Sequence, residues 1–309
     1  MRGSFRGGIV PVLLLLLLVS IALSGITVTG DYFGQKKPGL SPELFAPGII
    51  STPAYEHGSP AFSRDGNIVF WTQLLGAHGS EAVIKFMTRK DGIWSAPRRA
   101  EIFGGFDDMY PHFNADESRI FVSSGIGKDG TGQAAERRIW FIEKEKAGWS
   151  KPRSVGFDSL DIYGLCVARD RSLYFMARSS ANPQQYDLYL SVAKDGAYAD
   201  PAKLPPPIDT ENYEDNPCLS PDESCLVFES NRPGGAGKED LYVCFREPNG
   251  AWTEPRNLGP TVNTPANERF PGFSPDGRYL FFGSDRGGNF DIYWVDARVL
   301  ENLKPGATK

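Results

Sequence analysis

The sequence from Phe273 to Phe282 reads FSPDGRYLFF, which is a short alternating run, a turn and an apolar run. In Pro275-Asp276-Gly277 the proline presets one backbone dihedral, the aspartate bonds its own backbone and the glycine accepts a positive φ, so these residues predict a tight hairpin turn. The arrangement recurs five times at spacings of 51, 54, 52 and 54 residues. The turn aspartates are Asp65, Asp116, Asp170, Asp222 and Asp276.

Two further strands complete each repeat. A third apolar run follows a variable loop, and a dipeptide such as Asp91-Gly92 or Asn249-Gly250 then precedes an aromatic residue and a proline. These dipeptides are preferred two-residue hairpin turns. A proline in the fourth strand points to an outer edge, because proline cannot donate to a neighbouring strand. The sequence therefore predicts an all-β fold in which four-stranded antiparallel blades pack around an axis as one β-propeller over residues 40–300.

The ends of the repeat region predict how the ring closes. The fifth repeat stops after Val295 without its own outer strand. Residues 40–56 align without a gap on residues 252–268, so that Thr52 meets Thr264 and Glu56 meets Glu268. We therefore predict that an N-terminal strand completes the last blade, which gives five blades, with six as the alternative.

The first residues are typical of an export signal. Arg2 and Arg6 precede an apolar run that ends at Ala22-Leu23-Ser24, which predicts a signal peptide over residues 1–24 and a periplasmic or secreted protein. The alternative is an uncleaved membrane anchor, since residues 9–28 are long enough to cross a bilayer. Residues 25–39 are predicted to be a linker and residues 301–309 a C-terminal tail. A formal charge of −5 argues against nucleic acid as a partner.

The last two repeats resemble a known family. Residues 273–282 are followed by Ser284-Asp285-Arg286-Gly287-Gly288 and by Asp291-Ile292-Tyr293, and residues 230–242 repeat this pattern. The pattern is similar to the PD40 (WD40-like) repeats of TolB-like propellers from bacterial envelopes. The resemblance implies an extracytoplasmic binding scaffold. The TolB domain itself is usually six-bladed and follows a small α/β domain, and neither feature is expected here.

Acidic residues precede every predicted inner strand, namely Glu56, Asp107, Asp108, Asp161, Glu214 and Glu268. Because inner strands line the axis of a propeller, we predict that these acids meet at one mouth, where they would hold Ca²⁺ or a cationic ligand group. Alternatively, each carboxylate binds backbone N–H groups or an arginine and locks its repeat. His57 and His112 begin the first two inner strands and are candidate ligands of a transition metal.

The four cysteines show no CxxC spacing. Cys218 and Cys225 flank a predicted turn, and Cys225 and Cys244 fall on neighbouring predicted strands, so either pair could form a disulfide in an exported protein. Free buried thiols at these positions and at Cys166 are the alternative.

The function predicted from these patterns is binding of a protein, peptide or glycan partner. The binding surface would comprise the acidic mouth and the loops at 125–136 and 230–239, since loops on a rigid scaffold often carry recognition. No cofactor other than Ca²⁺ is indicated. The alternative is a glycoside hydrolase that uses a pair of the mouth carboxylates, although no Gly-x-Ser-x-Gly nucleophile motif is present.

Overall fold

The computed structural model describes residues 27–75, 81–101, 107–126, 133–146, 148–179 and 182–306. It is an all-β, five-bladed propeller of antiparallel sheets, as the repeat predicts. The predicted signal peptide lies outside the described residues, as do residues 9–26 of the predicted membrane anchor and part of the 125–136 loop. Among the described residues, no helix combines the length and the apolar character needed to span a membrane.

Each blade begins with an inner strand, and a tight turn leads from it to the second strand. The inner strands are Tyr55–Glu56 with Ala61–Phe62, Met109–Phe113, Leu160–Val167, Glu214–Leu219 and Glu268–Phe273. The second strands are Ile68–Leu75, Arg119–Ile126, Leu173–Ser179, Cys225–Ser230 and Tyr279–Ser284.

The third and outer strands complete the blades. The third strands are Glu81–Lys90, Gln133–Glu145, Asn182–Ser191, Asp240–Phe245 and Asp291–Asp296. In blades 1 to 3 the outer strand consists of short pieces on either side of the predicted proline, because the proline cannot donate to the ladder. The outer pieces are Ile93–Trp94 and Arg98–Arg99 in blade 1, Gly148–Trp149 and Arg153–Ser154 in blade 2, and Ala197–Tyr198 (paired with Ala193–Lys194) and Ala202–Lys203 in blade 3. Blade 4 has Arg256–Asn257 and blade 5 has Glu43–Leu44.

The ring closes as predicted, with Glu43–Leu44 paired antiparallel to the third strand of blade 5. Phe45 follows this strand and is fully buried, with its ring centroid 4.9 Å from that of Phe281 and 5.0 Å from that of Trp294. Phe33 lies 4.7 Å from Trp94 of blade 1. Phe33 belongs to the short 3-10 helix Asp31–Gly34. A second 3-10 helix, Ala297–Leu303, follows blade 5. The segment predicted to be a linker thus adds aromatic side chains to the seam between blades 5 and 1, where such pairs stabilise the packing.

The hairpin turns explain why the aspartate recurs. In every blade the turn aspartate accepts a hydrogen bond from the N–H two residues later, at 2.8–3.1 Å. The residue after the aspartate has a positive φ in every blade, and glycine occupies this position only in blades 1 and 5. The five residues are Gly66, Glu117, Arg171, Glu223 and Gly277.

Arg171→Gly should therefore raise the free energy of unfolding by about 0.5–1 kcal/mol, because a side chain at φ 74° is strained. Its ion pair with Asp116 is half exposed and contributes little. Glu223→Gly is the matched control, since the Glu223 carboxylate accepts a 2.5 Å bond from the N–H of Arg169 in blade 3 and glycine would lose it. Urea denaturation measures both variants, and equal stabilisation by the two substitutions would contradict this account.

Candidate functional site

The inner strands are interrupted midway, and the interruption shapes the axis of the propeller. In blades 2 to 5 their pairing with the second strand shifts at this point. Tyr110, Asn216 and Phe270 stand there, each before a proline, with φ of 53°, 46° and 55°. Such β-bulges turn side chains away from the sheet.

The rings of Tyr110, Phe270 and His57 pack together and form a plug on the axis. The Tyr110 hydroxyl forms a 2.7 Å hydrogen bond with Nε2 of His57. The His57 ring lies 4.4 Å from Phe270, and Tyr110 reaches from blade 2 to within 6.0 Å of Phe270 in blade 5. Burial, with smaller contributions from Arg269 and Arg137, lowers the pKa of His57 to about 3. The role of His57 as a metal ligand stays a prediction.

An ion cluster joins blades 4 and 5 beside the plug. Arg269 contacts Glu239 at 2.9 Å, Glu229 at 3.3 Å and Asp215 at 3.9 Å. Burial first, and then the charge of Glu229, raises the pKa of Asp215 well above its usual range. The sequence pattern does not reveal this cluster, because its members come from three different strands and a loop.

An axial cavity of about 530 Å³ lies on the other side of the plug. The second half of each inner strand and the following hairpin turn form its walls, and Arg64 and Arg169 of these turns are exposed. A volume of this size is typical of ligand sites, which are mostly apolar with a few placed polar groups. Of the eight predicted site residues, only His112 lines this cavity.

One position of the repeat contributes a ring of residues to the cavity. It lies four residues before each turn aspartate and is occupied by Ala61, His112, Cys166, Cys218 and Gly272. Ala61 and Gly272 carry no polar side-chain group, and Ser59 packs against Gly272. The polar groups of the ring are therefore grouped on blades 2, 3 and 4.

Cys166 contacts both the Cys218 thiol and the His112 imidazole of this ring, each within hydrogen-bonding reach. Its sulfur also accepts the N–H of Leu219 at 3.3 Å, whereas Cys218 donates to the Leu219 carbonyl at 3.7 Å. The Nδ1 atom of His112 is bonded to the Phe113 carbonyl at 2.7 Å. The hydrogen bond from Cys218, followed by the contacts with His112, lowers the pKa of Cys166 well below its usual range.

The disulfides left open by the sequence do not match the strand register. Cys218 stands opposite Val227, and Cys225 stands opposite Phe245. All four cysteines are free thiols in this structure. Burial raises the pKa of Cys225 and raises that of Cys244 to about 12.

The structure places the predicted acids of blades 4 and 5 in buried locks within their own blades. Glu268 is fully buried and accepts bonds from the N–H and hydroxyl of Thr264, both at 2.7 Å, from Ser284 at 2.9 Å and from Arg286 at 3.0 Å. Glu214 has the same four kinds of donor, which Thr210, Ser230 and Arg232 supply. These contacts are those of the locking alternative.

The acids of blades 2 and 3 also have close partners. Asp107 accepts the N–H of Ala82 in blade 1 at 2.9 Å and contacts Arg137. Asp108 is buried and accepts the hydroxyl of Ser124 at 2.6 Å. Asp161 accepts the N–H of Arg137 at 2.7 Å and the Nε of Arg178 at 2.8 Å. Asp107 and Asp161 thereby each join two neighbouring blades.

Glu56 of blade 1 differs from its equivalents in blades 4 and 5. It accepts bonds from Thr52 at 2.9 Å and from Gln73 at 3.0 Å, but the position of Arg232 and Arg286 is occupied by Leu75. Among the residues that the structure describes, none donates to its Oε2 atom. Burial, with a small contribution from Asp291, raises the pKa of Glu56 to about 7.

The predicted cation site at the acids stays a prediction. Within the described part of the chain, no group of three His, Cys, Asp or Glu side chains has an arrangement that could hold a metal ion.

The fold is shared with solved TolB structures. A putative TolB from Agrobacterium tumefaciens superposes with a TM-score of 0.55 over 80% of this chain and 79% of that chain, at 17% identity. TolB from Acinetobacter baumannii superposes with a TM-score of 0.50 over 76% of this chain and 52% of its own, at 14% identity. This chain therefore spans about half the length of the second protein. No family model and no curated protein matches the sequence. At such identities the likeness shows the propeller fold and no shared activity.

Proposed function

We propose that this chain is an exported, TolB-like propeller of the PD40 repeat type that binds a protein or peptide partner through its axial cavity. The export signal predicted at residues 1–24 supports the location, and the repeat pattern of blades 4 and 5 supports the family. The observation that carries the binding role is the cavity of about 530 Å³ formed by all five inner strands.

The chemistry of the cavity favours a peptide over a glycan. Its walls include Phe62, Phe113 and Phe273, together with the prolines that follow the bulges. Such walls suit an apolar side chain of a peptide, and polar lining groups such as Asn114 and Asn216 can bind its backbone. Arg64 and Arg169, together with the acidic residues Glu117 and Glu223 of neighbouring turns, place charges of both signs at the opening.

This site lies at the end of the inner strands opposite to the acids predicted from sequence. We place it there because the carboxylates of Glu214 and Glu268 are already saturated by donors of their own blades. A glycoside hydrolase would need two carboxyl groups that face the substrate. No contact of these acids favours that second function.

The experiment selects peptides on the wild-type chain from a random display library and screens a soluble glycan panel in parallel. Ala61→Phe should fill part of the cavity and weaken a selected peptide at least tenfold, or about 1.4 kcal/mol. Ala202→Phe makes the same change on the exposed outer strand of blade 3 and should leave the dissociation constant unchanged. Peptides that bind both variants equally, or binding of glycans alone, would contradict the proposal.

A further inference from the structure

The thiol pair of the axial ring has a chemistry that peptide binding does not use. Cys166 and Cys218 occupy equivalent positions on neighbouring blades, and both line the cavity. Their contacts assign different states to them. Cys166 accepts the N–H of Leu219, which suits a thiolate, whereas the Cys218 thiol has one proton that it can donate either to Cys166 or to the Leu219 carbonyl.

We propose that Cys166 and Cys218 are a redox-active pair that reacts with hydroperoxides entering the axial cavity. Cys166 is the nucleophile, Cys218 is the resolving thiol and His112 is the proton donor. This reactivity is independent of whether the cavity also binds a peptide.

The reaction has two steps that balance. The Cys166 thiolate attacks one peroxide oxygen, the O–O bond breaks, and the leaving hydroxide or alkoxide takes the proton of the His112 imidazolium to form water or an alcohol. The Cys218 thiol then attacks the sulfenic sulfur of Cys166, a disulfide forms and water leaves. Two thiols are oxidised for each peroxide reduced, which follows the usual course of thiolate oxidation beside a resolving cysteine.

The position of His112 suits this role. Its Nδ1 atom is engaged by the Phe113 carbonyl, so Nε2 is left for Cys166 on the next blade. Among the described residues, the titratable groups near Cys166 are His112 from blade 2, Cys218 from blade 4 and Tyr174 from the second strand of its own blade. An imidazolium beside a thiolate lowers the basicity of the sulfur and increases the reactive fraction at neutral pH.

Because the sulfurs of Cys166 and Cys218 are buried, only a small oxidant should reach them. The exposed fractions of Cys166 and Cys218 are 2% and 7%. A small peroxide can enter a cavity of about 530 Å³ and reach sulfurs in its wall. Sulfurs that already lie within hydrogen-bonding reach need only a modest shift to form a bond of about 2.05 Å.

The first test uses the full chain, reduced with dithiothreitol, freed of reductant and treated with one equivalent of hydrogen peroxide. Thiol counting after denaturation should show that two of the four thiols are lost. Peptide mapping without reductant should find Cys166 joined to Cys218, with Cys225 and Cys244 still reduced. Loss of all four thiols at similar rates, a crosslink that involves Cys225 or Cys244, or no disulfide would overturn the proposal.

Variants separate the three roles. Cys218→Ser should accumulate a sulfenic acid at Cys166 that dimedone traps, and Cys166→Ser should abolish the fast reaction. His112→Gln should slow the reaction of Cys166 with peroxide by about tenfold or more. It should also shift the pH profile of this rate to higher pH, which loss of packing alone would not do. Cys225→Ser is the control, because its thiol lies in the core between blades and should leave the rate unchanged. A pH profile unaffected by His112→Gln would overturn the role of the imidazole, and the wild-type mapping requires no variant to fold.

Discussion

Replacing Glu268 with Gln should lower the free energy of unfolding by about 3–5 kcal/mol, which is the usual cost of removing one partner from a buried ion pair. The carboxylate is fully buried, and its partner Arg286 has a side chain that is only 18% exposed. The amide would place an NH₂ group opposite either the Thr264 N–H or the Arg286 guanidinium, and both of these are donors. One buried donor would therefore lose its acceptor in either orientation of the amide.

Urea denaturation of the variant and the wild type measures this loss. Glu214→Gln should behave in the same way, because its contacts repeat those of Glu268. Glu254→Gln, at an exposed position, is the matched control and should change stability by no more than about 0.5 kcal/mol. A loss at Glu268 that appeared only in the presence of Ca²⁺ would show that the acid is a cation ligand and would contradict its role as a lock.

Glu56→Gln should raise the free energy of unfolding, although Glu56 is the sequence equivalent of Glu268. The folded pKa of Glu56 is raised from 4.5 to about 7, so the folded state binds its proton more tightly than the unfolded state does. The stability that the protonated carboxyl contributes is complete below pH 4.5 and is lost as the pH rises through 7. This difference corresponds to about 3 kcal/mol.

A glutamine at position 56 resembles the protonated carboxyl at every pH. It can still accept from Thr52 and Gln73, and its NH₂ group can donate toward Asp291. The difference in stability between variant and wild type should therefore grow by up to about 3 kcal/mol from pH 4.5 to pH 8. Denaturation curves at several pH values test this, and a difference that stayed constant over that range would contradict the raised pKa.

One difference in sequence explains why Glu268→Gln and Glu56→Gln should change the stability in opposite directions. Arg232 and Arg286 stand two residues after the serine that faces the glutamate, and blade 1 has Leu75 at that position. The repeat aligns the three glutamates, but the charge around each depends on one residue of the second strand. A pattern of acids alone therefore could not assign their role.

The fold was predictable because it depends on local signals that recur. The turn aspartates, the Asp-Gly and Asn-Gly dipeptides and the match of Thr52 with Thr264 each report a strand boundary or the ring closure. The outer-strand prolines predicted the edges, and the structure places them at breaks in those strands.

The axial site was less predictable because it depends on contacts between blades. Cys166 and Cys218 both lie four residues before a turn aspartate, but their distance in sequence conceals that they touch. The plug depends on positive φ at Tyr110 and Phe270, which the strand pattern does not reveal. His112 was predicted beside the acids, and the structure places it in the wall of the cavity, while the acids lie in hydrogen-bonded networks.

The most direct test of the account measures the affinity of one selected peptide for Glu268→Gln and for Ala61→Phe, under conditions where both variants are folded. If the acids are locks and the cavity is the binding site, Glu268→Gln should bind like the wild type despite its lower stability. Ala61→Phe should then lose at least tenfold in affinity, which is about 1.4 kcal/mol. A peptide that bound Ala61→Phe normally but lost affinity for Glu268→Gln would place the site at the acidic mouth and contradict the account.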